Sequence, residues 1–212
     1  MRKLLAIWLG KILTIVGKIV GKKSSSSPGA YALKICPDLV KGLEKCVSKG
    51  IIVTCGTNGK TTTNNLMASA LEAKGYKVIC NKLGANMLSG IATTVLQEMS
   101  IFGKLKADYA CLEIDEAYTP IVFDYVKPDV MVITNLFRDQ LDRYGEIDIT
   151  SDIIKRAIKK VPNLKLVLNG DDPLCVQFGR EENVKAYYYG ISEKVLPQLD
   201  DTKEGRFCPV CG

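Results

Sequence analysis

The chain has 212 residues, of which 47% are hydrophobic and 25% are charged, a composition typical of a globular protein that can bury one sizeable α/β domain. Its net charge of +6 is concentrated partly in residues 1–23, which hold no acid, and no basic stripe interleaved with aromatic residues follows, so the pattern does not favour nucleic-acid binding. The chain contains no histidine, which excludes Ser-His and Cys-His catalysis and leaves Asp, Glu, Lys, Tyr or Cys as general acid or base.

Residues 1–23 are apolar with interspersed lysines, and they predict a basic amphipathic helix. The apolar runs are too short for a membrane span, which needs about 20 largely uncharged residues, and no signal-peptide cleavage site follows. Such a helix either lies on an anionic membrane surface or packs on the protein's own body or a partner, and the sequence leaves both alternatives open. We expect a cytoplasmic protein, placed at the inner face of the membrane if the first alternative holds.

The serine-rich residues 24–29 have the composition of a linker and predict a domain boundary near residue 30. We therefore expect a helix and linker over 1–29 and an ATP-binding domain over 30–200. In the domain, β-type runs alternate with helical ones. Strands are predicted at 51–55, 76–80, 108–113, 129–134, 165–168 and 184–189, and helices at 61–74, 88–100, 118–125 and 148–160. This alternation indicates an α/β fold with a mostly parallel sheet, helices on both faces and ligands at the carboxyl ends of the strands.

The segment GTNGKTT at residues 56–62 follows a predicted strand and opens a predicted helix, which is the setting of a phosphate-binding loop. Glycines let backbone N–H groups approach phosphate oxygens, a lysine neutralises them, and a hydroxyl can ligate Mg²⁺. Thr54 stands where the commonest loop has its first glycine. The alternative is an ordinary strand-to-helix turn with an incidental lysine. The candidate nucleotide-binding residues here are Gly56, Thr57, Asn58, Gly59, Lys60, Thr61 and Thr62.

GTNGKTT resembles the ATP loop of the Mur ligases and folylpolyglutamate synthases, and three later segments resemble this superfamily too. They are EIDEA at 113–117, TNLFRDQLDRYGE at 134–146 and LNGDDP at 168–173. Within the superfamily the chain is most similar to the MurT family, the ligase-like subunits of lipid II isoglutaminyl synthase. The features that carry this similarity are SSSPG with ALKICPDL near the start, GANMLSGIATT at 84–94, Gln140 in place of a histidine, and CPVCG near the end.

The resemblance implies ATP-dependent amidation of the D-glutamate carboxyl of lipid II, with ammonia supplied by a GatD-type glutamine amidotransferase partner. Chemically, ATP would convert the carboxylate into an acyl phosphate that ammonia then attacks. Thr61 and Glu113 would bind Mg²⁺. No catalytic acid or base is assigned, and Asp115 and Glu116 are the acidic candidates. Gln140, an amide where most Mur ligases have a metal-binding histidine, puts a second Mg²⁺ site in doubt.

Asn169 and Asp172 would, by resemblance, lie near the base or ribose of the nucleotide. From the residues alone, they equally predict an Asx turn and a helix N-cap, with Pro173 at the first helical position. Both interpretations can hold together, because N-caps often serve binding sites.

Cys208 and Cys211 have the CxxC spacing of half a zinc ribbon, so residues 201–212 are expected to begin a structural Zn²⁺ site whose second cysteine pair lies downstream. The six other cysteines are scattered singly and are expected to be reduced thiols. We therefore expect a chain truncated at its C-terminal end, which binds nucleotide but does not complete the reaction alone.

Two other functions remain open at this point. One is a glutamate ligase of the folylpolyglutamate synthase type, against which Gln140 and CPVCG count. The other is a nucleotide-binding, membrane-docked interaction module without ligase activity.

Overall fold

The computed structural model describes residues 1–21, 26–82, 84–137, 146–180 and 184–191. Six parallel strands form one sheet in the order β2-β3-β1-β4-β5-β6, with β1 in a central position. The strands are β1 Val47–Cys55, β2 Val78–Cys80, β3 Ala107–Glu113, β4 Val130–Ile133, β5 Lys165–Asn169 and β6 Lys185–Tyr189. The predicted parallel α/β fold is confirmed.

Seven α-helices accompany the strands in the described part of the chain, together with 3-10 turns at Leu43–Lys45, Glu116–Tyr118 and Gln177–Arg180. The helices are α1 Arg2–Ile19, α2 Ser27–Ile35, α3 Lys60–Ala73, α4 Leu88–Glu98, α5 Thr119–Tyr125, α6 Glu146–Lys159 and α7 Pro173–Val176. Each predicted strand and helix is present, with ends shifted by a few residues. The core beneath them is formed by buried aliphatic and aromatic side chains from every strand but β6 and from most helices.

The central strand β1 begins at Val47, earlier than predicted, because Val47 pairs with Ala107 of β3 before the register shifts between Val47 and Gly50. Ile51 and Val53 are fully buried, as expected for a strand covered on both faces of a parallel sheet. The polar residues at 48–49 hide this first part of the strand from a search for apolar runs.

Helix α2 corrects the interpretation of residues 24–29 as a linker, because it begins at Ser27. Pro28 fits in the first turn of the helix, where no backbone N–H is needed. Gly29 is buried against α4: its N–H donates to Thr93 Oγ1 at 2.8 Å, and a Cβ atom there would collide with the Ser89 carbonyl oxygen. The proline and glycine thus serve a tight helix–helix contact rather than a flexible connection.

The predicted N-terminal helix is α1, and one of its faces packs on the body of the protein. Ala6, Ile7 and Gly10 are buried, and Trp8 Nε1 donates to the Ile101 carbonyl oxygen at 2.9 Å. A helix long and apolar enough to cross a membrane does not occur among the residues that the structure describes. Gln140 and the CxxC pair at Cys208 and Cys211 lie outside the described residues.

Candidate nucleotide-binding site

The predicted phosphate loop lies at the carboxyl edge of the sheet, where the three central strands end side by side. Thr54 of β1 is in register with Glu113 of β3, and Cys55 is in register with Ile133 of β4. The loops that leave these strands are therefore neighbours. This edge is where parallel α/β sheets bind their ligands.

Two glycines give the loop a backbone path that other residues disfavour. Gly56 has a φ of 123°, and a Cβ atom on it would lie 2.8 Å from the Asn135 carbonyl oxygen and collide with Thr134 Oγ1. Gly59 has a φ of 78° and immediately precedes α3, which begins at Lys60. The chain can thus turn sharply from β1 into α3 while it touches the loop after β4.

Asn135, directly after β4, holds the phosphate loop in place. Its carbonyl oxygen accepts from Thr57 N–H at 2.8 Å, its Oδ1 accepts from Asn58 N–H at 2.9 Å, and its Nδ2 donates to the Asn58 carbonyl oxygen at 3.0 Å. Thr134 Oγ1 donates to the same carbonyl at 2.7 Å. The loop is therefore shaped by the fold before any ligand binds. Sequence reasoning missed this role of Asn135, although its position after a strand was a usable signal.

The beginning of α3 presents groups that suit a phosphate. The first N–H groups of a helix have no partner within the helix, and the helix dipole adds partial positive charge at this end. Thr61 and Thr62, in this first turn, are exposed. Together with Lys60 they make this end of α3 suited to an anion such as a nucleotide phosphate.

The Lys60 ammonium group is folded back over the loop. Its Nζ donates to the carbonyl oxygens of Gly56 and Thr57, and it forms an ion pair with Glu116 Oε1 at 3.3 Å. Both side chains of the pair are mostly buried, with 14% and 15% of their surface exposed. Without a ligand, Glu116 thus provides the negative charge beside Lys60. A bound phosphate would replace it as the partner of Lys60.

Glu113, the last residue of β3, fits the predicted role of a Mg²⁺ ligand. It is 2% exposed; its Oε1 accepts from Asn86 Nδ2 at 3.5 Å, whereas its Oε2 is buried without a hydrogen-bond partner. An unpaired buried carboxylate oxygen is costly, and a cation would remove that cost.

Gly84 leaves room for such a cation between Glu113 and Thr61. A Cβ atom at Gly84 would lie 3.5 Å from Thr61 Oγ1 and 3.8 Å from Glu113 Oε2, so both oxygens face the same small space. Within the described ranges, no group of three or more Cys, Asp or Glu side chains could hold a metal ion. Mg²⁺ beside nucleotide phosphates needs only one or two protein ligands, because phosphate and water oxygens complete its shell. Thr61 and Glu113 therefore suit a Mg²⁺ ion at this position.

Asn81, after β2, holds Glu113 in position. Its Nδ2 donates to the Glu113 carbonyl oxygen at 2.8 Å, and its Oδ1 accepts from Glu113 N–H at 2.8 Å. The same Nδ2 also donates to the Ala85 carbonyl oxygen at 3.1 Å, next to Gly84. One buried amide thus links the ends of β2 and β3 and the glycine turn. This residue was not among the sequence-based candidates.

The two acidic candidates after Glu113 have different surroundings. Asp115 accepts from Ala117 N–H at 3.0 Å and so caps the short turn Glu116–Tyr118. Glu116 instead faces Lys60. Of the two, only Glu116 directs its carboxylate at the phosphate loop.

Asn169 and Asp172 lie on the β5 side of the edge, where their side chains bind backbone groups. Asp172 is the N-cap of α7, with its Oδ1 accepting from Leu174 N–H and its Oδ2 from Leu136 N–H, both at 2.9 Å. Asn169 donates to the Thr134 carbonyl oxygen at 3.0 Å and accepts from Asp171 N–H in an Asx turn. The capping interpretation is therefore observed, and nucleotide contact by these two residues stays a prediction.

The cysteines near the site are neutral thiols. Burial, reinforced by the charges of Glu116 and Asp115 against the attraction of Lys60, raises the pKa of Cys55 well above its usual value. Burial raises the pKa of Cys111 to about 12 and that of Cys80 to about 11. A thiol is a nucleophile only as thiolate, so these cysteines are not suited to nucleophilic catalysis at neutral pH.

Comparison of this sequence with known proteins indicates one protein family. Residues 53–208 match the Mur ligase middle domain family. The full chain is 37% identical to the MurT subunit of lipid II isoglutaminyl synthase (glutamine-hydrolyzing) from Staphylococcus aureus and covers 47% of that protein. The corresponding Streptococcus pneumoniae subunit is 38% identical over 93% of this chain and 46% of its own length. The chain thus spans about half the length of these relatives.

Among solved structures, MurF ligase from Thermotoga maritima in complex with ADP shares the fold. It superimposes with a TM-score of 0.59 at 19% identity, over 75% of this chain and 36% of that one. The family match begins at Val53, within β1, and includes the phosphate loop and the strand-end residues described above.

Proposed function

The chain belongs to the Mur ligase family of ATP-dependent ligases, and on that premise we propose that it is the nucleotide-binding part of an amide ligase subunit. The subunit uses ATP to activate the D-glutamate carboxyl of lipid II, a peptidoglycan precursor, for amidation to D-isoglutamine. A GatD-type glutamine amidotransferase supplies the ammonia. The similar S. aureus and S. pneumoniae proteins are subunits of a lipid II isoglutaminyl synthase (glutamine-hydrolyzing), which supports this assignment of substrate and reaction.

One observation carries the nucleotide-binding part of the proposal. Helix α3 begins with Lys60 and Thr61, and Thr61 Oγ1 faces the same small space as a buried Glu113 oxygen that has no partner. The cationic groups suit phosphate and the bare carboxylate suits a divalent cation, so the two halves of Mg-ATP have complementary groups within one small region.

The reaction requires activation because a carboxylate does not react with ammonia at neutral pH. In the proposed first step, a carboxylate oxygen of the substrate attacks the γ-phosphorus of ATP, the bond to the β–γ bridging oxygen breaks, and ADP leaves. Ammonia then attacks the acyl carbon, inorganic phosphate leaves, and the nitrogen loses a proton. The free energy of ATP cleavage thus drives formation of the amide bond.

The residues of this chain act on the first step by holding and neutralising the phosphates. The loop N–H groups bind phosphate oxygens, and Lys60 exchanges Glu116 for the β- and γ-phosphate oxygens. Thr61 and Glu113 would hold Mg²⁺, which would supply positive charge to neutralise the phosphate oxygens. Glu116, released from Lys60, and Asp115 remain the acidic candidates for a catalytic role.

Other parts of the proposal extend beyond the described residues. Cys208 and Cys211 supply half of a structural Zn²⁺ site, with the other cysteine pair downstream. The ATP-binding domain extends to about residue 200 and includes α2, which begins at Ser27. Among the described residues, Asn169 and Asp172 support the nucleotide site indirectly from the β5 side, through their hydrogen bonds to the backbone after β4.

Phosphate release is the direct test of the reaction. The complete subunit, mixed with the amidotransferase, glutamine, Mg-ATP and lipid II, should release phosphate and form the amide in equal amounts. Release should stop when either lipid II or the nitrogen source is left out. A complete subunit that binds ATP yet forms no amide under these conditions would refute the ligase proposal and favour a nucleotide-binding module.

Lys60→Ala tests the site itself. We expect loss of ATP binding by calorimetry, by roughly 100-fold or more, with unchanged folding by circular dichroism, because Lys60 is the charged group that neutralises the phosphates. Lys82→Ala is the matched control, since Lys82 pairs with the exposed Glu72 away from the loop. Equal ATP affinity in the two variants would show that this loop does not bind the triphosphate.

A further inference from the structure

Helix α1 is apolar on two opposite sides, and the protein covers only one of them. The inner side, with Ala6, Ile7 and Gly10, packs on the body of the protein, where Gly10 contacts Leu96 of α4. The outer side carries large apolar residues that are exposed by half or more. These residues are Leu5 at 54%, Ile12 at 57%, Ile15 at 58% and Ile19 at 79%, with Val16 and Trp8 just under half.

The uncovered surface continues beyond α1 into the turn after α4. Trp8 Nε1 donates to the Ile101 carbonyl oxygen, which holds the exposed indole beside Ile101 and Phe102. Phe102 is 74% exposed and Ile101 is 56% exposed. We name this set of residues, 5, 8, 12, 15, 16, 19, 101 and 102, the α1 apolar surface. A contiguous exposed surface of this kind marks an interaction site.

The charge around the α1 apolar surface has one sign. The chain has no acidic residue before Asp38, whereas Arg2, Lys3 and Lys18 are exposed on α1 itself. Lys11 and Lys18 are seven residues apart and so lie on the same side of the helix, at the border of the apolar side. Lys18 is exposed and can extend its charged end past an apolar layer towards anionic groups, whereas the Lys11 ammonium donates to the Gln97 carbonyl oxygen of α4 at 3.5 Å.

We propose that the α1 apolar surface docks on a lipid bilayer whose headgroups are anionic, with α1 parallel to the membrane plane. A helix with buried contacts on one side cannot also cross the bilayer, so it lies in the interface with its outer side among the acyl chains. Trp8 and Phe102 are the aromatic types that favour this depth, and the bordering lysines match anionic headgroups. The proposal does not depend on the ligase activity.

Trp8 is the only tryptophan of the chain, so its fluorescence reports on this surface alone. We expect vesicles of phosphatidylcholine with phosphatidylglycerol to shift the emission of the 212-residue chain to shorter wavelength and to carry the chain into the vesicle pellet. Vesicles of phosphatidylcholine alone should bind more weakly, by about fivefold for each lysine that reaches the headgroups. If neither kind of vesicle shifts the emission, the proposal is wrong.

The double variant Ile12→Glu/Ile15→Glu tests the location. It places two charges where acyl chains would lie, and each change should weaken vesicle binding at least about tenfold. Both side chains are exposed, so circular dichroism should show an unchanged fold. Leu66→Glu on α3, at another exposed apolar residue, is the matched control and should bind vesicles like the unmodified chain.

Two other results would overturn the proposal. The double variant could bind vesicles as well as the unmodified chain, which would place membrane contact elsewhere. Alternatively, the unmodified chain could form a dimer in solution that the double variant abolishes, with no emission shift on vesicles, which would make a second copy the occupant of the α1 apolar surface.

Discussion

Glu113 at the end of β3 and Asp172 after β5 are both nearly buried acids at the carboxyl edge of one sheet, at 2% and 8% exposure, but their oxygens have different partners. Both oxygens of Asp172 accept backbone N–H groups, one from its own helix and one from Leu136. Glu113 has one long hydrogen bond from Asn86 and one oxygen with none. Burial alone does not identify a functional carboxylate here. An unpaired oxygen beside the phosphate loop is more informative, whereas the unpaired buried oxygen of Glu44 lies before β1, away from the carboxyl edge of the sheet.

Glu113→Gln should separate binding from stability most clearly. We expect the affinity for Mg²⁺ with a non-hydrolysable ATP analogue to fall about 100-fold, because the amide keeps the shape of the side chain but loses the anionic oxygen. The free energy of unfolding should stay the same or rise, since an unpaired buried charge is removed. Calorimetry and urea denaturation measure the two quantities. Glu98→Gln, at an exposed acid on α4, is the control.

Asp172→Ala should have the opposite pattern, with a lower free energy of unfolding and little change in nucleotide affinity. Loss of the α7 N-cap costs about 1 kcal/mol, and the Leu136 N–H left without an acceptor costs about 1–3 kcal/mol, so the free energy of unfolding should fall by about 2–4 kcal/mol. Nucleotide affinity should change less than threefold. If affinity instead falls as far as in Glu113→Gln, Asp172 contacts the nucleotide, and the contrast between the two acids disappears.

Asn135→Ala should lose an amount of nucleotide affinity that lies between the losses in Glu113→Gln and Asp172→Ala. It removes the side-chain hydrogen bonds that shape the phosphate loop but leaves every phosphate-binding group in place. We expect nucleotide affinity to drop about tenfold, because the loop must then be ordered at the expense of binding energy. The drop should be the same with and without Mg²⁺. A drop seen only with Mg²⁺ would show that Asn135 acts on the metal side.

Glu116→Gln should have the smallest effect, and in the opposite direction. The ion pair with Lys60 competes with phosphate, so its loss should tighten binding of ADP without Mg²⁺ by about two- to threefold. The gain should depend only weakly on added salt, because the competing pair is mostly buried and salt screens such pairs poorly. Weaker ADP binding by the variant would mean that Glu116 supports the phosphate site rather than blocks it.

The order of strands and helices, the parallel sheet and the phosphate loop were all predictable from the sequence. Alternating β-branched strands and helical segments determine that architecture, and the spacing of Gly56, Gly59, Lys60 and Thr61 is required by the chemistry of phosphate binding. The position of Glu113 at the end of a buried strand beside that loop was predictable as well, and its role as a Mg²⁺ ligand stays a prediction. These features depend on local pattern and on a simple rule about where strands end.

The supporting residues were not predictable in the same way. Asn81 and Asn135 act through contacts with residues 32 and 77 positions away, and a single asparagine after a strand is also what any loop contains. Helix α2 was missed because Pro28 and Gly29 are typical of linkers, and only the nearness of α4 shows why they are there. Long-range packing decides these cases, and local propensity cannot represent it.

Helix α4 connects the candidate nucleotide site with the α1 apolar surface. Asn86, just before the helix, donates to Glu113, and Leu96, near its end, contacts Gly10 of α1. The close contact at Gly29 fastens α2 to its first turns as well. Helix α4 therefore fixes the distance and the orientation between the phosphate loop and the α1 apolar surface. A protein resting on the α1 apolar surface would hold its phosphate loop at one height and one tilt above the bilayer, which limits the lipid-linked acceptors it can reach to those whose reactive group extends to that height.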